Sequence, residues 1–549
     1  MRRPNPVILL AVTATIGIAM AGLTLSMGGL YVDVYDGDSL HLVDLVMRMA
    51  AGQRPHLDFV TPIGDLAILP LALFVEAGTG IGHAFVYAQI LVAAVLLVPA
   101  VWIGWSRFPG YWGILFAAAI MVLSLALVHG QAETAFSASM HYNRWAWALG
   151  FLAVGTAFLP PRGERPRHGI DGAVLGAAMT ALGLIKVTYV LAFAPPIVVM
   201  LLLRGAWRTL AVALAVTALA CLTLTAWLGP DYWGAYLGDL TAVSGSEIRS
   251  YPTYPLSTVL GGPAFLPGTL LGFAAVVLLR QGNADRAPYG LGLLLLLPGF
   301  FFVTYQNFGN DPQWVLLLGL LLIPLAPWSA EEDPTGALRM AGAAIIAALF
   351  ALAAPSYLNM ATSPLTLMTR DTTWVPIFPR NPPHDDFYSS EPQALRYNVV
   401  TPGPGVSDVA DLGDRDAPAM VNGAALPDCA LTSGLTLYLR SMARDLGSRG
   451  YGGPGAEVVV ADLLSALWLF DGRILPVRGA APWSYGGTPG WAQARYLVVP
   501  LCPLSPETRV AWLTALDDRG ERLREVTRTA LYIVFERASE RGGEDEVEK

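Results

Sequence analysis

Residues 63–78 read Ile63-Gly-Asp-Leu-Ala-Ile-Leu-Pro-Leu-Ala-Leu-Phe-Val-Glu-Ala-Gly78, and the topology of the whole chain turns on whether this stretch crosses a membrane. It is apolar, but it is short, has Asp65 and Glu76 near its ends and carries Pro70. A helix needs about 20 apolar residues to cross a bilayer. The stretch therefore reads as a helix lying at the membrane interface. Around it stand eleven candidate spans, at 7–30, 84–105, 111–128, 145–160, 170–185, 187–203, 209–228, 261–280, 288–305, 313–328 and 337–356.

Charge tests that reading, because cytoplasmic loops collect Lys and Arg. With 63–78 not crossing, the inside ends hold Arg2, Arg3, Arg107, Arg162, Arg165, Arg167, Arg204, Arg208, Arg280, Arg286 and Arg339, which is 11 cations. The outside then holds 5: Arg48, Arg54, Arg144, Lys186 and Arg249. Letting 63–78 cross would reverse the count. The same topology requires 170–203 to be two spans hinged near Lys186. It places the N-terminus inside, a long loop at 31–83 outside, further outside segments at 129–144, 229–260 and 306–312, and the C-terminal part outside. In a bacterium this is a multi-pass protein of the inner (plasma) membrane with a periplasmic or extracellular C-terminal domain. The basic start followed by an apolar run also resembles a signal peptide, but about 24 apolar residues followed by many more spans favour an uncleaved first span.

Composition agrees. The chain has 549 residues, 54% of them apolar and 14% charged, with a mean hydropathy of +0.50. Soluble domains carry about a quarter charged residues, so an all-soluble or disordered chain is excluded. Residues 1–356 hold 16 Lys+Arg and 18 Asp+Glu, whereas 357–549 hold 18 and 24. The first part reads as lipid-embedded and the second as soluble. An acidic C-terminal part argues against nucleic acid as a partner.

That second part divides into a Pro-rich connector at 357–405, a small α/β domain at 406–541 and a disordered end at 542–549. Helices are predicted at 434–447 and from Pro506 to Asp517, and strands at 457–461, 494–500 and 531–535. Cys429 and Cys502 are either two buried thiols or one disulfide, the latter if this part faces an oxidising compartment. The fold class expected is an all-α polytopic membrane domain of about 11 transmembrane helices followed by a small α/β extracytoplasmic domain.

Polar residues gather on the expected outside face. Tyr31-Val-Asp-Val-Tyr-Asp-Gly-Asp-Ser39 places Asp33, Asp36 and Asp38 at the membrane edge, with Asp44 and Asp58 following. Such acids form a solvated loop, or supply a general base, since a carboxylate among apolar groups gains affinity for protons and can take one from a hydroxyl; paired acids also bind metal. Lys186 is the one lysine in the first 548 residues. It sits between apolar runs, where a cation either snorkels to the interface or meets an anion such as phosphate. Arg144, within His141-Tyr-Asn-Arg-Trp-Ala-Trp147, is either an interfacial anchor or a second phosphate ligand. His129 and Glu133, spaced i, i+4 with His141 nearby, are a candidate metal pair on a helix. Glu247, among aromatic residues in the loop at 229–260, suits sugar recognition or an ordinary interfacial loop. No Walker loop, dinucleotide fingerprint, serine elbow or kinase motif occurs.

The order of elements resembles the polytopic glycosyltransferases of the GT-C fold, in particular protein O-mannosyltransferases, aminoarabinose transferases and bacterial relatives. The matching features are one span followed by a long outside loop opening on Asp36-Gly-Asp38, where the family usually has adjacent Asp-Glu; the stretch from Asp38 to Gly52; Gly52-Gln-Arg-Pro-His-Leu-Asp58-Phe and Thr61-Pro-Ile-Gly64 before the interfacial helix; and Gly183-Leu-Ile-Lys186. The resemblance covers 7–356. It implies transfer of a sugar from a polyprenyl-phosphate donor to a hydroxyl of a glycan, lipid or protein acceptor, at the outer face and with inversion. It implies Asp38 or Asp36 as base, Lys186 and Arg144 as ligands of the lipid phosphate, and Asp58 and Glu133 as holders of acceptor or metal; His141 and Glu247 are further candidate substrate contacts. The need for a divalent metal differs within the family and stays open. The rival reading is a transporter or a lipid or polysaccharide flippase without catalysis. Internal repeats and mid-membrane charges would mark such a protein, whereas the charges here sit at one face.

Overall fold

The computed structural model describes residues 3–163, 166–246, 248, 252, 254–281, 284–306, 311–326, 333, 335–379, 381–400 and 418–537. The chain forms two compact units. The first comprises Met1–Val34, Ile63–Trp233 and Tyr251–Asp371, and the second Tyr35–Pro62, Gly234–Ser250 and Thr372–Lys549.

Every expected span has a helix in the first unit. These are α1 (Pro6–Ser26), α4 (Ile81–Arg107), α5 (Trp112–Leu125), α6 (His141–Phe158), α7 (His168–Ile185), α8 (Val187–Leu203), α9 (Trp207–Leu228), α11 (Phe265–Gln281), α12 (Ala287–Gln306), α13 (Trp314–Leu325) and α14 (Ala337–Met368). Six of them are long and apolar enough to cross a membrane, namely α1, α4, α7, α9, α12 and α14. The first helix starts where the sequence dictates: the Asn5 side chain accepts from the Val7 N–H at 2.9 Å, and Pro6 occupies the first helical position, where a missing N–H costs nothing.

The doubtful stretch forms a 3-10 turn (Asp65–Ala67) and α3 (Leu69–Glu76), a helix of 8 residues. At about 1.5 Å per residue it is roughly 12 Å long, far too short to cross. The last helix differs from expectation. It runs to Met368, through Pro355 and Pro364, past the expected end at 356 and into the expected connector. At the centre, α6 is buried on nearly every side, as an all-round apolar helix inside a large bundle must be. Helices α7 and α9 pack closely because Gly172 and Gly176 leave no side chain between them: a Cβ at Gly176 would meet the Ala213 carbonyl at 2.5 Å.

The second unit joins α2 (Asp36–Ala50), most of α10 (Asp231–Ser244) and the C-terminal part. Its sheet has strands β1 (Val458–Val460), β2 (Tyr496–Pro500), β3 (Leu523–Arg528) and β4 (Tyr532–Arg537), in the order β3-β4-β2-β1. The β1 and β2 strands are parallel, with Val459 opposite Leu497, and the other pairs are antiparallel. Helices α15 (Leu435–Ser448) and α16 (Pro506–Asp517) lie within a residue of their expected bounds. Trp512, Leu513 and Leu516 of α16 close a core with Val459, Leu497, Val499, Ile533 and Phe535. The edge strand β3 carries Arg524, Glu525 and Arg528, charges that discourage pairing with another chain.

Cys429 and Cys502 form a disulfide, with Cα atoms 4.7 Å apart and a sequence separation of 73. Closing a loop of that size stabilises a fold by roughly 4 kcal/mol in the chain-entropy picture. Reduction, or Cys429→Ser with Cys502→Ser, is expected to lower the thermal midpoint of this unit. Far-ultraviolet circular dichroism with and without reductant checks it, and an unchanged midpoint counts against the pairing.

Candidate active-site residues

In the first unit, Lys186 stands at the break between α7 and α8, its backbone extended at φ −157° and ψ 102°. In a continuous helix the Ile185 carbonyl would accept from Tyr189. Here the Tyr189 N–H donates to the Lys186 carbonyl at 3.1 Å, and Ile185 instead accepts from the Gly64 N–H at 3.1 Å. Two motifs 120 residues apart in the chain, ending in Gly64 and containing Ile185, thus meet. The break turns the Lys186 side chain toward α6, where its Nζ donates to Asn143 Oδ1 at 3.0 Å and lies 5.8 Å from the Tyr142 ring centre. Lys186 is half-buried. Asn143 had no signal of its own in the sequence beyond its place beside Arg144.

Arg144 is fully buried and occupied by backbone. It donates to the Val128 carbonyl at 3.0 Å and to the Ala126 carbonyl at 2.6 Å. These are the carbonyls just past the end of α5, which have no helical partner. A helix that stops inside a membrane protein needs such donors, because no water is present to supply them. His141 is equally enclosed: its ring nitrogens lie 3.1 Å from the Ala67 carbonyl and 3.3 Å from the Ala138 carbonyl, and its ring packs edge-on against Trp145.

His129 and Glu133 do not share a helix. Residues 126–140 are irregular, so the helical i, i+4 arrangement expected of this pair is not formed. Asn359 pins the loop by donating to the carbonyls of Gly130, Gln131 and Glu133 at 3.3, 3.1 and 2.7 Å. Burial and the charge of Arg144 push His129 down to about 3, so its imidazole is neutral at any physiological pH. Asp33 closes the same loop: it accepts from the Phe136 N–H at 2.8 Å and pairs with Arg370. Burial raises its affinity for a proton against both partners.

In the second unit, Asp36 and Asp38 occupy the first turn of α2, and Asp36 is buried. Unpaired N–H groups and the helix dipole favour negative charge at such a position. The residue before them, Tyr35, has φ 58° and ψ 48°, a left-handed conformation that costs a non-glycine residue of order 1 kcal/mol. The same helix buries Asp44 and Arg48 as an ion pair. Arg48 also donates to the Val477 carbonyl at 3.0 Å and to Gln53 at 3.2 Å, and Trp468 donates to Asp44 at 3.2 Å. A Cβ at Gly37 would lie 3.7 Å from Leu435 and 4.0 Å from Leu504. The acids therefore start a helix clamped by the C-terminal part.

Asp58 has protein partners on both oxygens, Arg478 on Oδ1 and the Arg54 N–H at 2.8 Å on Oδ2. Close by in sequence, His56 Nδ1 lies 2.8 Å from Asp239 of α10, which also accepts from the Thr61 N–H at 3.0 Å. Nothing in the sequence connected His56 with Asp239, because 182 residues separate them. Glu247 lies outside the described residues. Among the described residues no three His, Cys, Asp or Glu side chains are grouped to hold a metal ion.

No protein-family model matches this chain, and no curated protein matches it. Two solved structures are similar to it. The cryo-EM structure of the arabinofuranosyltransferase AftD from Mycobacteria is 13% identical with a TM-score of 0.36, over 96% of this chain and 40% of that one. This chain thus spans about two fifths of that protein's length. The crystal structure of ArnT from Cupriavidus metallidurans in the apo state is 13% identical with a TM-score of 0.35, over 96% of this chain and 97% of that one.

Proposed function

We propose that this chain is an integral membrane glycosyltransferase that moves a sugar from a polyprenyl-phosphate donor to a hydroxyl acceptor at the extracytoplasmic face, with inversion. The observation that carries the reading is Lys186. It is the one lysine of the membrane unit, placed at a helix break by Gly64 and aimed by Asn143 at 3.0 Å. A cation so held suits the phosphate that departs with the lipid, since a preorganised charge stabilises what develops in the transition state.

The chemistry follows in one displacement. Asp38 or Asp36 takes the proton of the acceptor hydroxyl, and the oxygen attacks the anomeric carbon. The bond from that carbon to the phosphate oxygen breaks, and the lipid phosphate leaves as an anion against Lys186. Arg144, with two donors committed to backbone, contributes its positive charge, and Asp58, Glu133, His141 and Glu247 are substrate-binding candidates. Two further features support the outer-face location. Three of the five segments placed outside by charge counting, namely 31–83, 229–260 and the C-terminal part, contribute to the second unit, and that unit holds a disulfide, which persists in oxidising compartments.

The test is transfer from a polyprenyl-linked sugar in membranes. Removing a general base slows transfer about 10²–10⁴-fold, so Asp36→Asn and Asp38→Asn, made separately, identify the base by which one collapses the rate. Lys186→Met is expected to lose about 10²–10³-fold. Full transfer in both Asp variants removes the base assignment. A wild-type protein that consumes no polyprenyl-linked sugar across a broad donor screen removes the reaction class.

A further inference from the structure

The end of the first unit that carries the start of α1 is strongly basic. Among the described residues, 3–5, 107–111, 159–163, 166–171 and 204–208, which lie at this end of α1, α4, α6, α7, α8 and α9, hold six arginines and one acid. That acid, Asp171, is already engaged: it accepts from Trp102 Nε1 at 2.9 Å and pairs with Arg107 at 2.6 Å.

Two of the arginines converge on one aromatic platform. Trp102 and Trp105, near the end of α4, have ring centres 5.6 Å apart. Arg3 lies 5.0 Å over Trp105, and Arg167 lies 5.4 Å over Trp102 and 5.8 Å over Trp105. Arg3 packs so closely on the α6–α7 turn that a Cβ at Gly163 would overlap its guanidinium. In that turn the Arg162 N–H donates to the Ser106 carbonyl at 2.8 Å, and burial together with the charge of Arg3 pushes the Arg162 side chain below its ordinary value. Arg3 and Arg167 are exposed, and among the described residues neither forms an ion pair.

We propose that Arg3 and Arg167, on the Trp102–Trp105 platform, form a binding site for the phosphodiester of an anionic phospholipid in the adjoining leaflet. Like charges gathered at one spot gain from an anion between them. Guanidinium groups offer paired N–H donors that match phosphate oxygens, and stacking on indole holds two of them in place. The choice of a lipid over free phosphate rests on position: tryptophan rings at the end of a spanning helix mark the headgroup layer, and basic pockets between helices at that depth bind acidic headgroups. The site is independent of the transfer reaction proposed above.

The full chain in detergent, titrated with dioleoyl phosphatidylglycerol, phosphatidylcholine or inorganic phosphate, tests this by thermal midpoint and native mass spectrometry. Phosphatidylglycerol is expected to raise the midpoint and to remain as a discrete adduct. R167Q and R3Q are each expected to weaken that response roughly tenfold, and R522Q, an exposed arginine of the other unit, to leave it unchanged. An equal rise with phosphatidylcholine or inorganic phosphate overturns the proposal, as does an unaltered response in R167Q and R3Q. Because Arg3 precedes α1 and bears no load within a helix, R3Q decides the matter even where R167Q fails to fold.

Discussion

Gly64→Ala is expected to cost at least two orders of magnitude in the proposed sugar transfer while only exchanging a hydrogen for a methyl group. The backbone at Gly64, with φ −74° and ψ 159°, suits any residue, so glycine is not there for a special conformation. It is there for closeness. A Cβ at this position would overlap the Leu184 carbonyl and lie 3.1 Å from the Leu184 Cα. Backbone is what it meets, so no side chain can rotate out of the way. Overpacking of this kind costs about 1–3 kcal/mol, and the Gly64–Ile185 hydrogen bond adds about 1 kcal/mol when lost. The larger effect falls on Lys186, whose direction depends on the break that Gly64 holds. A displacement of about 1 Å at a catalytic group costs on the order of a hundredfold. Gly22→Ala, in the interior of α1 with nothing within 4 Å, is the control and is expected to be neutral. Wild-type rate and midpoint in Gly64→Ala would show that the contact positions nothing.

Arg48→Met is expected to destabilise the second unit by roughly 3–5 kcal/mol, the cost of leaving one member of a buried ion pair without the other. Arg48 and Asp44 are both 0% exposed. Burial already raises the proton affinity of Asp44, against the opposing influence of Arg48 and Trp468. Without Arg48 the carboxylate takes a proton or exposes itself. The sign with pH follows: a carboxyl whose affinity for protons is higher in the folded state than in the unfolded one gains stability as pH falls toward its ordinary value. The deficit of Arg48→Met is therefore expected to shrink at acid pH, and Arg48→Met with Asp44→Asn to recover part of it at neutral pH. Hydrogen exchange of α2 in the full chain measures both. Protection equal to wild type in the single variant would remove the ion pair from the account of how α2 is held.

The sequence made the helices legible because each span is a long apolar run, and it made 63–78 legible because length, two acids and a proline all spoke against crossing. Where a rule depends only on neighbours in sequence, expectation and structure agree: α16 begins at Pro506. The last helix outran its expected end because Pro364 is tolerated in a helix, whereas the sequence reading placed it in a Pro-rich connector. His129 and Glu133 failed as a helical pair because α5 ends at Leu125, and nothing local announces that end. The partners of the candidate site residues were not legible at all. Asn143 with Lys186, Asp58 with Arg478 and His56 with Asp239 are side-chain meetings across tens to hundreds of residues, which periodicity and spacing do not encode.

The clamp on Arg48 has a consequence for biogenesis. Its backbone acceptor at Val477 lies 429 residues further along the chain. At translation rates of about 5–20 residues per second, the charged helix waits roughly 20–90 seconds after its own synthesis before that acceptor exists. For that interval α2 has left the translocon without the partners that later enclose it. A chain stalled before Val477 leaves α2 in that state, a natural target for quality-control proteases.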